Sequence, residues 1–231
     1  PEAEQARRAG VSSPILEQVR RTVAKEVDPP RVDCLSWWGD PADVLAIESR
    51  EASRLVVGGD EVPWVTKLTG GEVARRVSLT ARCPVVVVPS VDRNPGRVGG
   101  VVVAVDGAGT IERPLFYAFD VARERREPVQ IITAAGPTQD HFVRAERRHE
   151  LDEVVARAQA MYPEVHLLPA VDAKKAVAAC LMAAQHASIL VLGRPVDHLL
   201  PWSPLGVAGR VLRRAKSPVA VVPLDHADTV V

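Results

Sequence analysis

The sequence predicts an α/β fold: doubly wound parallel sheets with helices on both faces, in two tandem copies. Three observations predict it. The first is a repeat. Residues 53–92 (SRLVVGGDEVPWVTKLTGGEVARRVSLTARCPVVVVPSVD) and 188–225 (SILVLGRPVDHLLPWSPLGVAGRVLRRAKSPVAVVPLD) share one plan: an apolar strand ending in glycine, a loop with a Pro-Trp pair, a glycine opening a helix, and a second apolar strand after a proline. Gly58 matches Gly193 and Gly71 matches Gly206, the second glycine following 13 positions after the first in each copy, and Pro84 matches Pro218. The second is alternation. From residue 100 onward, short apolar runs alternate with helix-length segments, the pattern of parallel strands joined by right-handed crossovers. The third is the pair of β-branched runs at 85–88 and 219–222, typical of strands buried on both faces.

In chain order, residues 2–27 read as helical with a break at 11–14. Ser13 is placed to cap and Pro14 to begin the second helical piece. Ile15, Leu16, Val19, Val23 and Val27 make its apolar stripe, and Pro29-Pro30 stops it. Residues 31–37 (RVDCLSW) alternate as a strand, with packing expected for Trp37 and Trp38 at its end. Asp40-Pro41 opens a helix to about Ala52, with Val44, Leu45 and Ile47 inward. A strand at 54–57, a helix at 72–80 and a strand at 85–88 follow. Residues 90–99 are a turn-rich linker. Then come a strand at 100–107, a helix at 110–127, a strand at 129–136 and an amphipathic helix at 141–161. Phe142, Leu151, Val154, Val155 and Ala158 face inward on that helix, and residues 144–150 read as a solvated charged face, with a phosphate or partner patch as the alternative. A strand at 165–168 and a helix at 173–186 lead into the second repeat copy.

Composition narrows the function classes. The 231 residues are 47% hydrophobic, enough for one large or two small cores. Lys+Arg and Asp+Glu each number 29, which argues against a nucleic-acid or anionic-membrane footprint. No apolar run approaches the roughly 20 residues of a membrane span, and the polar start predicts no secretory signal. Three cysteines without CxxC spacing (Cys34, Cys83, Cys180) point to buried thiols in a reducing cytoplasm. The six histidines show no metal-ligand spacing, and no nucleophile elbow, Walker loop or dinucleotide fingerprint occurs.

Certain residues carry a family resemblance. VVVAVDG (101–107 with its preceding glycine), SILVLGRP (188–195) and GVAGRVLRRAKSPVAVVP (206–223) make residues 97–226 resemble one complete universal stress protein domain. DPADVLAIESREASRLVVGG (40–59) and GGEVARRVSLTARCPVVVVP (70–89) make residues 1–92 resemble the later part of another. The resemblance implies a Rossmann-like, five-stranded sheet of order 3-2-1-4-5 in each domain, of the adenine-nucleotide alpha-hydrolase type. It also implies an adenine-nucleotide cleft. The first copy is shorter by 38 residues, about one β-α-β unit, so its third strand would lack a neighbour; a longer biological chain is therefore expected.

The resemblance further implies a nucleotide signature of Gly, two residues, Gly, nine residues, Gly, then Ser or Thr. Its glycines would admit phosphate to backbone N–H groups and to a helix N-terminus. Both copies depart from it. The first has Gly58 and Gly71, with Glu61 and Glu72 in the other two places. The second has Gly193 and Gly206, with Val196 and Val207 there. The implied cofactor-binding set is Asp106, Gly107, Gly193, Arg194, Val196, Gly206 and Val207. Asp106 would meet the nucleoside, and Arg194 would replace lost phosphate contacts or lie on the surface. A β-branched Val196 resists positive φ, Val207 removes a hydroxyl donor, and Glu72 sets a carboxylate where phosphate would sit. Two such losses cost about 2–4 kcal/mol, roughly 30- to 1000-fold in affinity. ATP binding in the first copy is not expected; in the second it stays open. Trp64 and Trp202 read either as plugs of the two clefts or as loop anchors.

The sequence reading is thus a cytoplasmic, non-enzymatic stress-response protein with a degenerate nucleotide site, acting as a regulator or binding protein. Its copies would pair within the chain through the final strands at 85–88 and 219–222, and a homodimer is a further expectation. No membrane or nucleic-acid partner is expected. Two alternatives stay open: an ATP-binding switch or weak ATPase using the second-copy cleft, and a regulatory module of a larger assembly.

Overall fold

The computed structural model describes residues 14–23, 33, 35–59, 72–89, 99–105, 111–134, 141–173, 175–194 and 207–224. The chain divides into two compact units, 1–44 and 45–231.

In the first unit, helix α1 (Pro14–Val23) begins at the proline, whose missing N–H costs nothing in a first turn. Glu17 and Arg21 pair along its exposed side at 3.2 Å. The expected extension over 2–13 and 24–27, with Ser13 and Val27, lies outside the described residues. The expected strand at 31–37 is not formed at residues 33 and 35–37, which belong to no strand among the described residues. Alternation alone does not make a strand, because unpaired backbone groups gain nothing from an extended conformation over hydration. Trp38, expected to pack, is 80% exposed. Asp40 caps helix α2 (Pro41–Glu48): its Oδ1 accepts from the N–H groups of Ala42 and Asp43 at 2.9 and 3.2 Å. Of the expected inward set of α2, Val44 and Leu45 are half-buried but Ile47 is exposed; Ala42 and Ser49 are buried and Ala46 half-buried, the i, i+3, i+4, i+7 spacing from Ala42.

The second unit holds one mixed seven-stranded sheet. Its strands are β1 (Leu55–Gly58), β2 (Val85–Val88), β3 (Val101–Val105), β4 (Val129–Ala134), β5 (Leu167–Ala173), β6 (Ile189–Gly193) and β7 (Val219–Val222). Spatial order is β1-β2-β7-β6-β3-β4-β5. Every neighbouring pair is parallel except β2 with β7, where Val85, Val86 and Val87 oppose Val221, Ala220 and Val219. Five of the seven strands, in the order β5-β4-β3-β6-β7, come from the second copy and are parallel throughout; the first copy adds β1 and β2 across one antiparallel seam, so the copies share one sheet where a separate sheet for each was expected.

The helices are α3 (Glu72–Thr80), α4 (Glu112–Arg125), α5 (His141–Met161), α6 (Ala176–Ala183) and α7 (Val207–Leu212). On one face, Leu115, Ala118, Phe119 and Ala122 of α4 and Leu151, Val154 and Ala158 of α5 pack on Val101, Val103, Ile131, Val191 and Ala220. On the other, Cys180 of α6 and Val211 of α7 pack on Val102, Ile132, Leu190, Leu192 and Val221. Neighbouring strand residues thus enter opposite cores, which is why these strands read as unbroken apolar runs. Residues 145–150 of α5 are exposed apart from half-buried Arg147.

Strand β5 runs further than the expected 165–168. Pro169 and Asp172 look like turn residues, but β5 is an edge strand, where a proline's missing donor faces no partner. Its pairing with β4 shifts register between Gln130 and Ile132, which absorbs the proline as a bulge. Gly100, just before β3, has φ +73, and a Cβ there would lie 2.4 Å from the Pro128 carbonyl oxygen; only glycine fits.

Candidate functional site

From β3 the chain moves to β4 and β5 on one side, then returns to β6 and β7 on the other. The crevice beyond the carboxyl ends of β3 and β6 is therefore the switch point at which open α/β sheets take ligands. Gly193 ends β6, and α4 follows the carboxyl end of β3 after a short connection.

The described residues around Gly193 are apolar and close. A Cβ at Gly193 would stand 3.0 Å from Leu224 Cδ2 and 3.3 Å from Pro114 Cγ. The glycine lets the chain after β7 and the first turn of α4 close over the end of β6. At the equivalent Gly58, no described residue lies within 4 Å of that position.

Arg194 reaches across the seam. Its N–H donates to the Val222 carbonyl at 2.7 Å. Its guanidinium Nη1 donates to the Ala81 carbonyl at 2.6 Å. Ala81 directly follows α3, and its own N–H donates to Val77 at 2.8 Å, so this carbonyl belongs to the negative end of a helix. The guanidinium is a charge-assisted C-terminal cap on a helix from the other repeat copy.

A second polar link joins the two repeat copies elsewhere. Arg54, one residue before β1, donates through Nη1 and Nη2 to Glu124 Oε2 and Oε1 of α4 at 3.1 and 2.7 Å. The Glu124 hydrogen bond holds the Arg54 pKa above its ordinary value. The guanidinium carbon sits 5.8 Å from the Tyr117 ring centroid. Burial raises the Tyr117 pKa, and its hydroxyl has no hydrogen-bond partner among the described residues.

Val207 opens α7 and is exposed. Asp106, Gly107, Val196, Gly206, Glu61, Gly71, Trp64 and Trp202 lie outside the described residues, as does the side chain of Glu72. Of the implied cofactor set, the structure therefore brings together Gly193 and Arg194, with Val207 at the head of the following helix. Sequence reasoning missed Leu224, Pro114 and Ala81 as neighbours of this pair. Leu224 follows β7 in VVPLD, where an apolar residue after a buried strand was the available signal; a backbone carbonyl such as Ala81 leaves none. Among the described residues no cluster of metal-ligating side chains occurs, and no helix is long and apolar enough to cross a membrane. Cys83 and Cys180 are buried and unpaired; burial raises both thiol pKa values, that of Cys180 to about 11.

No family model matches the chain. Relatives do. A universal stress protein of Mycobacterium tuberculosis is 30% identical over 158 residues, covering 66% of this chain and 57% of that protein. The chain is a member of the universal stress protein family. A second universal stress protein from the same organism is 31% identical over 132 residues, 55% of this chain and 46% of the relative. The chain thus spans about half the length of the curated relatives it matches. The fold agrees. A solved universal stress protein from Archaeoglobus fulgidus aligns with 98% of this chain and 78% of its own, at TM-score 0.69 and 19% identity. A universal stress protein solved in complex with cAMP covers 55% of this chain at TM-score 0.44, an overlap that carries no argument about the crevice here.

Proposed function

We propose that this chain is a non-enzymatic binding and regulatory member of the universal stress protein family, acting in stress response, whose second-copy crevice does not hold the phosphates of ATP. The observation that carries this reading is the engagement of Arg194. It is the cation nearest the glycine end of β6 in sequence, and its guanidinium Nη1 donates to the Ala81 carbonyl at the end of α3. Two others support it. Leu224 and Pro114 occupy the space beside Gly193, and Val207 offers no hydroxyl where the family signature has one. These observations support a crevice without a phosphate cradle. A triphosphate there would have to displace apolar packing and draw Arg194 off a helix end, each at a cost of about 1 kcal/mol or more.

In this reading the two repeat copies are tandem domains, 1–92 and 97–226, joined within one chain through β2 and β7. The antiparallel match of Val86 with Ala220 supports it, because it relates the copies by a local two-fold. Buried free thiols support a reducing, cytoplasmic setting. The alternative, an ATP-responsive switch or weak ATPase, has the retained Asp106 in its favour. The test is direct: denature protein purified from its native source and separate the released small molecules by ion-exchange chromatography. The proposal expects no stoichiometric adenine nucleotide. One equivalent of ATP would refute it.

A further inference from the structure

Helix α6 reads AVAACLMA, and Ala184 continues the run, so residues 176–184 carry no charge, hydroxyl or amide. A helix that is apolar all round belongs in an interior. Within the chain, α6 is covered on one side only. Cys180 and Ala184 are buried in the core with Val102, Ile132, Leu190 and Leu192, and Val177, Ala179, Leu181 and Ala183 pack around them. On the outer side Lys175, Ala178, Met182 and Gln185 are exposed, Met182 to 68%. Their spacing of i, i+3, i+7 and i+10 makes one straight stripe, apolar in the middle and polar at its ends.

The stripe is complementary to itself. Turned about a two-fold axis at the level of Cys180 and laid antiparallel on a second α6, it sets Met182 on Ala178, Ala178 on Met182, and Lys175 beside Gln185. The longest side chain thus meets the shortest. The charges agree as well. Lys175 stands at the N-cap of α6 without a side-chain cap, at the positive end of its own helix. In the antiparallel pair it reaches the carbonyl end of the other helix, where a cation is favourable. At the offset that relates Gly58 to Gly193, α2 of the first copy is the equivalent helix. It has Ile47 at the position of Met182, but Asp43 and Glu48 replace Ala178 and Ala183, and Asp40 replaces Lys175 as a true cap. The self-complementary face is therefore peculiar to α6. With Lys+Arg and Asp+Glu equal at 29, no net charge keeps two chains apart.

We propose that the outer stripe of α6 is a docking surface for a second copy of this chain, two α6 helices packing antiparallel with Met182 of each seated on Ala178 of the other. One short helix pair is a small interface, so the expected dimer is weak, with a dissociation constant of about 10–100 μM. The inference rests neither on nucleotide binding nor on the seam between β2 and β7.

Sedimentation velocity of the 231-residue chain, at concentrations spanning that range, is the test. The expected result is a reversible monomer–dimer equilibrium. Met182→Lys, checked by circular dichroism to be folded, should weaken it about tenfold or more, because the central contact gains two ammonium groups. Lys175→Glu should move two readouts in opposite directions. A carboxylate suits the N-terminus of its own α6, so the melting temperature of the dilute monomer should rise. It does not suit the carbonyl end of the other helix, so the dimer should weaken about threefold or more. Val171→Lys, on the exposed β5 edge, should leave the dimer intact. A chain monomeric throughout, a dimer indifferent to Met182→Lys, or one abolished by Val171→Lys would each overturn the proposal. So would unchanged or tighter association of Lys175→Glu, which is incompatible with the antiparallel register.

Discussion

Replacing Arg194 by methionine keeps the stem of the side chain and removes the guanidinium that Ala81 accepts at 2.6 Å. A hydrogen bond to a charged group is worth roughly 1.5–3 kcal/mol, and a cation at a helix C-terminus a further 0.3–1 kcal/mol. Arg194 is only half-buried, so water replaces part of what is lost. The expected net destabilisation is about 1.5 kcal/mol, or roughly 3–6 °C in melting temperature for a unit of this size. Because a guanidinium stays protonated, the loss should be the same from pH 5 to pH 9. Urea denaturation gives the magnitude, and native-state amide exchange gives the place: residues 77–81 at the end of α3 should exchange faster in the variant. A stability change below about 0.3 kcal/mol, with unaltered exchange at those residues, would refute the capping role.

Other predictions follow from the same packing. Val191→Ala should cost about 2–3 kcal/mol, while the equivalent Val56→Ala should stay within about 0.5 kcal/mol, because only the first is enclosed; paired urea titrations check this. Arg126 closes α4 in a left-handed conformation with φ 57, so Arg126→Gly should stabilise by about 0.5–1 kcal/mol, read as a raised denaturation midpoint. Cys180 favours its protonated form when folded, having a pKa of about 11 against an ordinary value of 9.0. Its contribution is therefore complete below pH 9 and lost as pH rises through 11, amounting to about 2–3 kcal/mol. Cys180→Ala should flatten that part of the stability–pH curve relative to the parent.

Much of the fold was legible because the strands between two helical layers are unbroken apolar runs, and because the repeat made each copy a check on the other. Helices at 72–80 and 141–161 and the strand at 85–88 have the expected bounds. The misreadings share a cause: pattern reports what a segment can do, and neighbours decide what it does. Residues 33 and 35–37 alternate well but join no strand among the described residues. Pro169 looks like a terminator but sits at an edge where its missing donor is harmless. Ile47 is apolar yet sits off the buried stripe of α2. At the candidate site, the glycine register pointed to Gly193 and Arg194. The partner of Arg194 is a carbonyl 113 positions earlier in the chain, and no local pattern encodes such a contact.

The central claim is that the crevice at the end of β6 does not take ATP. The most direct test is thermal unfolding of the protein with and without millimolar Mg-ATP. A nucleotide present at a thousandfold excess over its dissociation constant adds about 4 kcal/mol of stability, a shift of several degrees or more. The account predicts superimposable melting curves. A clear upward shift that Asp106→Ala removes would contradict it and would place a working nucleotide site in the second copy.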